Sequence, residues 1–563
     1  MRWYAQPQPE AAIVSHLCEV LGVPKAVAEV LAQRGIDSFD AAKAFFRPQW
    51  SALHNPFLML GMVEAVARIQ EAIDLNEKIL VYGDYDVDGT TAVALLASYL
   101  KTQTAHVDTY IPDRYSEGYG LSVKGVQHAA HQGYSLLITL DCGIKAVALV
   151  AKAQSLGVDT IICDHHLPGE ERPPALAILD PKQPECPYPY KELCGCGIGF
   201  KLIQALEQEK GHSVESLSPY LDLVATAIAA DIVPLTGENR VLAYLGLQQI
   251  NKAPRPGLAQ LMGMKNIKQL QLHDLVFVIA PRINAAGRME HGQLAVALLS
   301  ASTPEIAQPL AEKIEQRNTE RKTADEAITK EALEQAQNLD TPHSTVVKNE
   351  NWHKGVIGIV ASRLIETRYC PTVVVTLSGE KWVGSVRSVK GFNVYEALEA
   401  CSDHLLQFGG HKYAAGLTLE KSALSSFSKA FEAAVKARIL PEQLVPSQGY
   451  EIQLGLEELT PKLYRIIEQM APFGPQNMRP VFLTSGLLDT GGSRVVGKDQ
   501  SHLKLEVTDG SGRIVSGIGF GMAHHYPNIQ AKKPFAVLYT LEENEFNGQR
   551  SLQLKLKDLK FSV

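Results

Sequence analysis

The sequence predicts an α/β protein of several domains: a mostly parallel sheet, a long connecting helix, a second α/β domain and a C-terminal β-barrel. Between residues 56 and 290, β-like runs such as KILVY and LLITL alternate with helical runs such as TAVALLASYL, which is typical of βαβ units. Short strands broken by Asp-Gly and Asn-Gly turns fill the C-terminal region, as in a small barrel or sandwich. At 563 residues, the chain is too long for a single hydrophobic core.

These patterns divide the chain into five segments. They are an N-terminal helical segment (1–55), the parallel-sheet domain (56–290), a connecting helical segment (291–340), a second α/β domain (341–440) and a β-rich domain (445–563). The connecting segment is rich in charged residues. It is therefore either a solvated connector or a spacer that fixes the separation of the two domains it joins.

Composition and charge favour a cytoplasmic enzyme. The chain is 45% apolar and 20% charged, and its net charge of −7 argues against a protein that coats nucleic acid without excluding an enzyme that acts on it. No run approaches about 20 apolar residues, so we expect no membrane span. The start, MRWYAQPQPE, lacks the pattern of a secretory signal. Eight cysteines in so long a chain do not suggest a disulfide scaffold, and the CxC pair Cys194 and Cys196 favours buried, reduced thiols over a zinc site.

Three carboxylates, Asp84, Asp86 and Asp88, alternate directly after the strand-like run KILVY. Residues two apart in an extended segment point to the same face. Three like charges on one face repel one another unless a cation lies among them, and carboxylate oxygens suit Mg²⁺ or Mn²⁺. Gly89 then allows a sharp turn, and an apolar helix is expected from Thr90. Because Asp and Gly are common turn residues, a solvated turn is the alternative.

Further acids close later apolar runs. Asp141 follows LLITL, the triplet Asp164, His165 and His166 follows TIIC, and Asp231 follows TAIAA. Carboxyl ends of successive parallel strands meet at one edge of a sheet, so these side chains are expected to converge. Carboxylate and imidazole together suit manganese or a similar ion. The sequence therefore predicts a site with two metal ions.

These motifs resemble those of a known family. DYDVDG, the acid after LLITL, the DHH triplet and ADIVPL match the four motifs of the DHH phosphoesterase superfamily. Four more segments resemble its branch of bacterial single-strand DNA exonucleases: IPDRYSEGYG (111–120), PRINAAGR (281–288), GSVRS (384–388) and GGHKYAAG (409–416). The similarity covers nearly the whole chain. It implies a DHH domain, a DHH-associated domain and a C-terminal OB-fold that binds single strands, although a barrel that serves only for packing is the alternative.

The resemblance also implies how two divalent cations, Mn²⁺ or Mg²⁺, are held. Asp141 would bridge the ions, with Asp86 on one of them. Asp88, His165 and Asp231 would hold the other, and this assignment is carried over from the superfamily. Asp84 would be a metal ligand or lie next to one. Asp164 would orient the histidine pair, and His166 would contact the scissile phosphate. The catalytic residues would then be Asp141, His165 and His166.

Accessory motifs are expected to bind the terminal phosphate. Arg114, Arg282, Ser385 and Arg387 are predicted in Gly-flanked or turn-like loops, and arginine binds phosphate bidentately. In the resembled family, residues of these motifs hold the 5′-terminal phosphate, which would impose 5′→3′ polarity. His411 lies at a Gly-Gly loop that can approach a phosphate closely. Asn284 and Arg288 are weaker candidates, as structural or phosphate-orienting groups. The aromatic residues of these segments either stack on bases or pack within the protein: Tyr115, Tyr119 and Phe392.

The resemblance predicts a metal-dependent 5′→3′ exonuclease that degrades single-stranded DNA to mononucleotides in homologous recombination, mismatch repair and base excision repair. Metal chemistry alone leaves other hydrolases open: a pyrophosphatase, a nuclease of short RNA or a cyclic-dinucleotide phosphodiesterase. A scaffold without metal, within a replication complex, is a non-enzymatic alternative. We expect a monomer whose partners are single-stranded DNA, a single-strand-binding protein and a RecQ-type helicase.

Overall fold

The chain begins with a short strand and three helices that pack against the C-terminal region. The structure, a computed structural model, describes residues 1–546 and 548–561. The first elements are β1 Arg2–Ala5, α1 Ala11–Leu21, α2 Lys25–Gln33 and α3 Phe39–Phe46. Leu17 and Leu31 of these helices belong to the same hydrophobic core as Leu505 near the other end of the chain. Within the described ranges, no helix has both the length and the apolar composition needed to cross a membrane.

A five-stranded parallel sheet organises the next region. Its strands are β2 Ile79–Gly83, β3 Val107–Tyr110, β4 Leu136–Leu140, β5 Asp159–Cys163 and β6 Ala177–Leu179. The helices around it are α4 Met62–Asp74, α5 Val87–Leu100, α6 Val123–His131, α7 Val147–Ser155, α8 Gly195–Glu209, α9 Leu221–Asp231 and α10 Gly237–Lys252. Strands β2 and β4 are buried throughout, which explains why they are continuous apolar runs.

The strand order creates a crevice at the carboxyl ends of β2 and β4. The order is β3-β2-β4-β5-β6, so the chain first adds β3 on one side of β2 and then β4 on the other. Ligands of open α/β sheets bind at such a reversal, beyond the carboxyl ends of the strands. Asp84 follows β2, Asp141 follows β4 and Asp164 follows β5. The fold therefore brings three of the motifs to one sheet edge.

A group of helices connects this region to the next domain. They are α11 Pro256–Gly263, α12 Leu272–Asp274, α13 Ala280–Met289, α14 Gln293–Leu299 and α15 Pro304–Gln337, with a π-helical turn at Leu275–Ile279 before α13. The 34 residues of α15 span about 50 Å. The segment PRINAAGR was expected to be turn-like, and this was wrong because it lies within α13.

The second α/β domain contains a five-stranded mixed sheet. Its elements are β7 Thr345–Lys348, α16 Ile357–Thr367, β8 Thr372–Ser378, β9 Lys381–Arg387, α17 Val394–Glu399, β10 Gln407–His411, β11 Ala414–Glu420 and α18 Leu424–Lys436. The strand order is β10-β11-β9-β8-β7. The two expected Gly-rich loops are strands: GSVRS lies mostly in β9, and GGHKYAAG forms the β10–β11 hairpin.

The C-terminal region is a closed β-barrel. Its elements are β12 Ser447–Tyr450, β13 Ile452–Gln453, α19 Pro461–Gln469, β14 Phe482–Asp489, β15 Arg494–Val496, β16 His502–Thr508, β17 Val515–Gly519, α20 Tyr526–Gln530, β18 Phe535–Phe546 and β19 Gln549–Phe561. The order β14-β18-β19-β17-β16 closes because β14 also pairs with β16. Five strands with a helix between the third and the fourth match the predicted OB-type barrel. Strand β12 pairs in parallel with β1.

Candidate metal centre

The chain turns into a helix directly after β2, so the first three aspartates do not share an extended segment. Asp86 is the N-cap of α5, and its side chain accepts a 3.0 Å hydrogen bond from the Gly89 amide. Asp88 lies in the first turn of the helix. The expectation that Asp84, Asp86 and Asp88 share one face of an extended segment was therefore wrong. The helix was expected to begin at Thr90 after a turn at Gly89, and this was also wrong because α5 begins at Val87. Gly89 is helical, and a Cβ there would lie 2.4 Å from the Asp84 carbonyl oxygen.

Asp84 and Asp141 are buried at the ends of neighbouring strands. Asp84 Oδ1 accepts a 3.1 Å hydrogen bond from the Gly120 amide, whereas Oδ2 has no hydrogen-bond partner within the described part of the chain. Asp141 has φ 59°, a left-handed conformation that only a few per cent of non-glycine residues adopt. Such conformations persist where the surrounding structure fixes them, and they cluster at functional sites.

The N-terminus of α8 holds Asp88 in place. The amides of Gly195 and Cys196 donate hydrogen bonds of 2.6 and 2.7 Å to the two carboxylate oxygens of Asp88. Residue 195 also needs to be glycine, because a Cβ there would lie 2.6 Å from Asp141 Cβ and 2.9 Å from Asp141 Oδ1. The CxC segment therefore positions two acids of the centre with its backbone, a role that the cysteine spacing did not reveal.

His165 lies at the middle of the acid cluster. Its Nε2 is 3.1 Å from Asp141 Oδ1, 3.7 Å from Asp231 Oδ2 and 3.8 Å from Asp88 Oδ2. Two triplets have ligand atoms within 4.8 Å of one another: Asp88, His165 and Asp231 in one, and Asp141, His165 and His166 in the other. The predicted convergence of these residues is therefore present in the fold.

The electrostatics of the cluster fit divalent cations. Burial and then the charge of Asp86 raise the pKa of Asp88 to about 7, and burial and then Asp88 raise the pKa of Asp231 to about 9. Burial, followed by the charge of Asp88, also holds the pKa of Asp141 well above its usual range. Burial and then the neighbouring His166 lower the pKa of His165 to about 3, so its imidazole is neutral and able to bind a metal. Crowded carboxylates with one neutral imidazole form a donor set suited to Mn²⁺ or Mg²⁺.

Asp164 orients His166. Its Oδ1 accepts hydrogen bonds from His166 Nδ1, at 2.7 Å, and from the backbone amides of both histidines. Its Oδ2 accepts a hydrogen bond of 2.9 Å from the Ile144 amide. Burial opposes ionisation of both side chains, but the hydrogen bond between them lowers the pKa of Asp164 and raises that of His166. On the other side of the ring, Nε2 lies 3.2 Å from the Tyr119 hydroxyl. His166 is thereby held with its Nε2 beside the exposed Tyr119 side chain. We call this solvent-facing side of the acid cluster the mouth of the centre.

Asp231 comes from a helix and not from a strand end. It is the last residue of α9, so the expectation that every acid closes a strand was wrong. The next residue, Ile232, has φ 59° and ψ 29°. This left-handed conformation costs a residue with a Cβ about 1–2 kcal/mol. The turn nevertheless points the Asp231 carboxylate at His165.

One buried acid near the centre was not predicted. Asp180 directly follows β6 and has no exposed surface. Its Oδ1 accepts a 2.7 Å hydrogen bond from the Lys182 amide, and Oδ2 has no partner in the described ranges. Burial raises the pKa of Asp180 to about 7, with a smaller contribution from Asp164. The segment AILD, a strand ending in an acid, carried the same signal as LLITLD.

A cluster of arginines lies where the DHH-motif region meets the second domain. Burial and then the charges of Arg114, Arg387 and Arg321 lower the pKa of Arg288 to about 10, which places four guanidinium groups within electrostatic reach of one another. Arg114 stacks on Tyr85 at 4.5 Å. Among the described residues, Arg114, Arg288 and Arg387 form no ion pair with a carboxylate. Guanidinium groups that no carboxylate neutralises favour the binding of an anion.

Ser385 and Arg387 lie on β9 beside the start of α16. Arg387 Nη1 donates to Ser385 Oγ at 3.1 Å and to the Val386 carbonyl at 2.9 Å. A Cβ at Gly358, in the first turn of α16, would lie 2.9 Å from Ser385 Oγ and 3.1 Å from Arg387 Nη2. The helix N-terminus thus meets the arginine cluster, and such a terminus favours phosphate. The expected loop position of these two residues was wrong, because both belong to a strand.

Two predicted phosphate ligands are placed differently. Arg282 is buried in α13, and its Nε lies 2.6 Å from Glu315 Oε2 on α15. Its guanidinium therefore joins two helices and is not offered to a phosphate. His411 is exposed at the tip of the β10–β11 hairpin, and none of the hydrogen bonds between described residues links it to the acid cluster. The phosphate-binding role of His411 stays a prediction.

The three candidate stacking aromatics have different environments. Phe392 is buried in the core of the second domain, so it is a packed residue. The Tyr115 hydroxyl donates to the Arg288 carbonyl, and Lys354 lies 4.1 Å from the centre of its ring. Tyr119 alone is exposed, beside His166. Of the lower-ranked residues, Asn284 lies in α13 with Arg288.

Three domain families match this architecture. Residues 78–228 match the DHH family, N-terminal domain, residues 342–437 match the DHHA1 domain, and residues 450–558 match the RecJ OB domain. The chain is 37% identical over 565 residues to the single-stranded-DNA-specific exonuclease RecJ of Bacillus subtilis (strain 168). The aligned residues cover 99% of this chain and 70% of that protein. The chain belongs to the RecJ family. The predicted fold class is confirmed.

Two solved RecJ structures share the fold. The RecJ from Thermus thermophilus in complex with Mn²⁺ has a TM-score of 0.86 and 29% identity, covering 100% of this chain and 80% of that one. The complex of RecJ with Mg²⁺ from the same organism has a TM-score of 0.80 and 27% identity, with 100% and 79% coverage. The acid and imidazole cluster of this RecJ-family chain thus lies in a fold that holds Mn²⁺ or Mg²⁺ in relatives.

Proposed function

We propose that this RecJ-family chain is a Mn²⁺- or Mg²⁺-dependent hydrolase that degrades single-stranded DNA from its 5′ end to mononucleotides, in recombination and repair. The observation that carries this function is the convergence of three carboxylates on one imidazole: Asp88, Asp141 and Asp231 each have an oxygen within 3.1–3.8 Å of His165 Nε2. It is accompanied by three arginines that form no ion pair with a carboxylate in the described part of the chain: Arg114, Arg288 and Arg387. A metal centre and an anion site in one chain suit the cleavage of a phosphodiester near a terminal phosphate.

The carboxylates and His165 would hold two ions. We assign Asp141 to both, Asp86 to one, and Asp88, His165 and Asp231 to the other. The unpaired Asp84 Oδ2 makes Asp84 a further candidate ligand. When bound, the ions polarise the phosphodiester and generate the attacking nucleophile. The hydrogen bonds from the amides of α8 lower the pKa of Asp88 and so offset part of the effect of its burial.

His166 would contact the scissile phosphate. Asp164 holds the proton of His166 on Nδ1 and fixes the ring, which leaves Nε2 directed at the mouth of the centre. There it can donate to a phosphate oxygen or accept from a hydroxyl, as its protonation state allows. The Tyr119 hydroxyl lies 3.2 Å from this nitrogen. We therefore regard His166 as a substrate-binding and catalytic group, and Asp164 as the residue that positions it.

The arginine cluster would bind the 5′-terminal phosphate. Arg114, Arg387 and Ser385 offer guanidinium and hydroxyl donors, and the first turn of α16 adds a favourable dipole. We add Arg288, whose pKa is lowered first by burial and then by the neighbouring guanidinium groups. Because Arg282 is paired with Glu315, we leave it out of this pocket. A terminal phosphate held apart from the metals would set both the 5′→3′ direction and the length of the product.

The barrel offers a track for the rest of the strand. Arg494, Lys504, Ile518 and Lys555 occupy matched positions on adjacent strands β15, β16, β17 and β19. Their neighbours Leu503, Leu505 and Leu554 point into the core. Three of these four side chains are basic, and Lys555 also pairs with Glu542 at 2.8 Å. Basic side chains on the outer face of an OB-type barrel suit the backbone of a single strand.

The proposed activity is tested by incubating the protein and Mn²⁺ with 5′-phosphorylated single-stranded DNA, the matching RNA and a cyclic dinucleotide. We expect mononucleotides from the DNA first and no internal cuts. Asp141→Ala should abolish hydrolysis while its circular dichroism spectrum stays unchanged. Preferential cleavage of the RNA or the cyclic dinucleotide would favour those alternative hydrolases, and binding without hydrolysis would favour a scaffold.

The phosphate pocket is tested with 5′-phosphate and 5′-hydroxyl strands of one sequence. Loss of a charge-assisted bond predicts that Arg387→Met lowers the preference for the phosphorylated strand by at least about tenfold. Lys381→Met, an exposed cation at the other end of β9, should leave that preference unchanged. Equal effects of the two substitutions would argue against the pocket.

We further propose a cytoplasmic location and a monomer that receives its strands from a single-strand-binding protein and a RecQ-type helicase. The location is supported by the cysteines, because all eight are free thiols. The partners rest on the family resemblance. Co-sedimentation of the protein with a single-strand-binding protein and with the helicase tests them.

A further inference from the structure

Three large apolar side chains are exposed around the mouth of the metal centre. Tyr119, Leu167 and Ile232 are 53%, 66% and 65% exposed. Tyr119 contacts His166, Leu167 follows His166 in the chain, and Ile232 follows Asp231. We call these three residues the apolar rim. Exposed apolar groups gathered beside a charged cluster mark a ligand site more often than a plain surface.

Ile232 is the most informative member of the rim because its conformation is unfavourable. It ends α9 in the left-handed region, where helices usually place glycine or asparagine. Helix α1 ends in the usual way, with Gly22 at φ 62°. The following segment is anchored, since the Leu235 amide donates to the Pro475 carbonyl at 2.8 Å. A β-branched side chain in this conformation, facing solvent, gains little from packing within the chain.

We propose that the apolar rim binds the nucleobases on either side of the scissile phosphodiester. This inference rests on the proposed function and extends it. If the scissile phosphate contacts His166, as proposed, its flanking bases would lie within one nucleotide of this mouth. Every base has an apolar face, and contacts to that face tolerate any sequence. Ile232 then adopts an unfavourable conformation in the free protein because its side chain contacts substrate.

The test compares two 5′-phosphorylated strands that differ only at the first two positions, which are normal in one and abasic in the other. The release of the first product with Mn²⁺ is measured for the wild type, Ile232→Asn and Leu167→Asn. The control is Leu75→Asn, an exposed apolar residue at the end of α4 with ordinary backbone angles, on the amino side of the sheet. Melting temperature is recorded for every protein.

We expect the wild type to prefer the normal strand by about 10-fold or more, since the abasic positions lose their contacts with the rim. Ile232→Asn should lower kcat/KM for the normal strand by about 5-fold and lose most of this preference, with a melting temperature equal to or above that of the wild type. Leu167→Asn should act in the same direction. Leu75→Asn should keep the full preference.

The proposal is overturned if Ile232→Asn lowers kcat/KM equally for both strands and so retains the preference for the normal one. It is also overturned if this variant melts at a lower temperature than the wild type. Each result indicates a structural role for Ile232. A wild type that does not distinguish the two strands also overturns it. Both results leave the proposed function intact, because the wild type still degrades DNA. A wild type inactive on both strands would refute the function and, with it, the rim.

Discussion

The buried carboxyl groups of the metal centre couple its stability to pH. Burial and mutual repulsion raise the pKa of Asp88 to about 7 and that of Asp231 to about 9. Between the ordinary pKa of an aspartate, about 4, and these values, the metal-free folded state binds more protons than the unfolded state. Stability linked to these groups is therefore present at low pH and is lost as pH rises. Bound cations replace the protons and remove this loss.

Metal removal should consequently matter more at higher pH. We expect the difference in melting temperature between Mn²⁺-saturated and chelator-treated protein to grow from about pH 5 to about pH 9. Asp231→Asn removes one of the groups and should reduce this growth. Differential scanning calorimetry measures both. A difference that is constant across this range would show that the carboxyl groups do not hold the metal.

Gly195 tests whether the backbone of α8 positions the acids. Gly195→Ala would place a methyl group 2.6 Å from Asp141 Cβ, so we expect it to weaken Mn²⁺ binding by at least about 10-fold. Gly197→Ala, two residues on, meets its nearest atom at 3.4 Å and should bind Mn²⁺ nearly as well as the wild type. Titration calorimetry distinguishes the two variants. If they bind alike, the close approach at residue 195 is not important.

For single residues, the sequence predicted the acidic and histidine side chains of the metal centre. Acids after apolar runs and the histidine pair identified Asp88, Asp141, His165 and Asp231, and the fold brings them together. It was uninformative for backbone contributions, because the amides of α8 have no signature in residue type. Asp180 was missed although it carried the same signal.

At the scale of elements, apolar runs alone did not distinguish strand from helix. The run before Asp231 reads like the runs before Asp141 and Asp164, yet it belongs to the 11-residue helix α9, of which residues 221–229 are buried. The segment PRINAAGR contains Pro, Asn and Gly, which favour turns. Tertiary contacts override that preference, and Arg282 and Arg288 lie on a helix.

The helical position of Arg282 has a testable consequence. It joins α13 to α15 through Glu315, which is about a quarter exposed. We expect Arg282→Met to lower the free energy of unfolding by about 1–3 kcal/mol, because Glu315 loses a charge-assisted partner. The preference for a 5′-phosphate should stay unchanged. Urea denaturation measures the first effect, and a lost phosphate preference with unchanged stability would restore Arg282 to the phosphate pocket.

At the scale of the whole molecule, the two ends of the chain meet. Strand β1 pairs with β12, the Trp3 indole donates to Asp558 at 2.7 Å, and Lys390 of the second domain donates to the Tyr4 hydroxyl at 2.7 Å. The N-terminal segment thus contacts both the barrel and the second domain. Local patterns predicted the helices of residues 1–55 but not this pairing, since a four-residue strand with a distant partner has no period to detect.

This arrangement predicts that Trp3 steadies the connection between the last two domains. Trp3→Ala should lower the free energy of unfolding by about 1–3 kcal/mol and speed protease cleavage between α18 and β13. Phe39→Ala, which removes an exposed aromatic from the same N-terminal segment, should change neither. Limited proteolysis followed by mass spectrometry locates the cuts. Unchanged cleavage in the Trp3 variant would show that the contact does not restrain the linker.

The metal centre is the feature on which the whole molecule's activity depends, and Mn²⁺ titration of the metal-free protein by calorimetry tests it most directly. We expect the wild type to take up two ions per chain. Asp141→Asn, folded by circular dichroism, should take up fewer ions or bind them at least about 10-fold more weakly. A wild type that takes up no Mn²⁺, or a variant that binds it equally well, would show that these side chains do not form a metal centre.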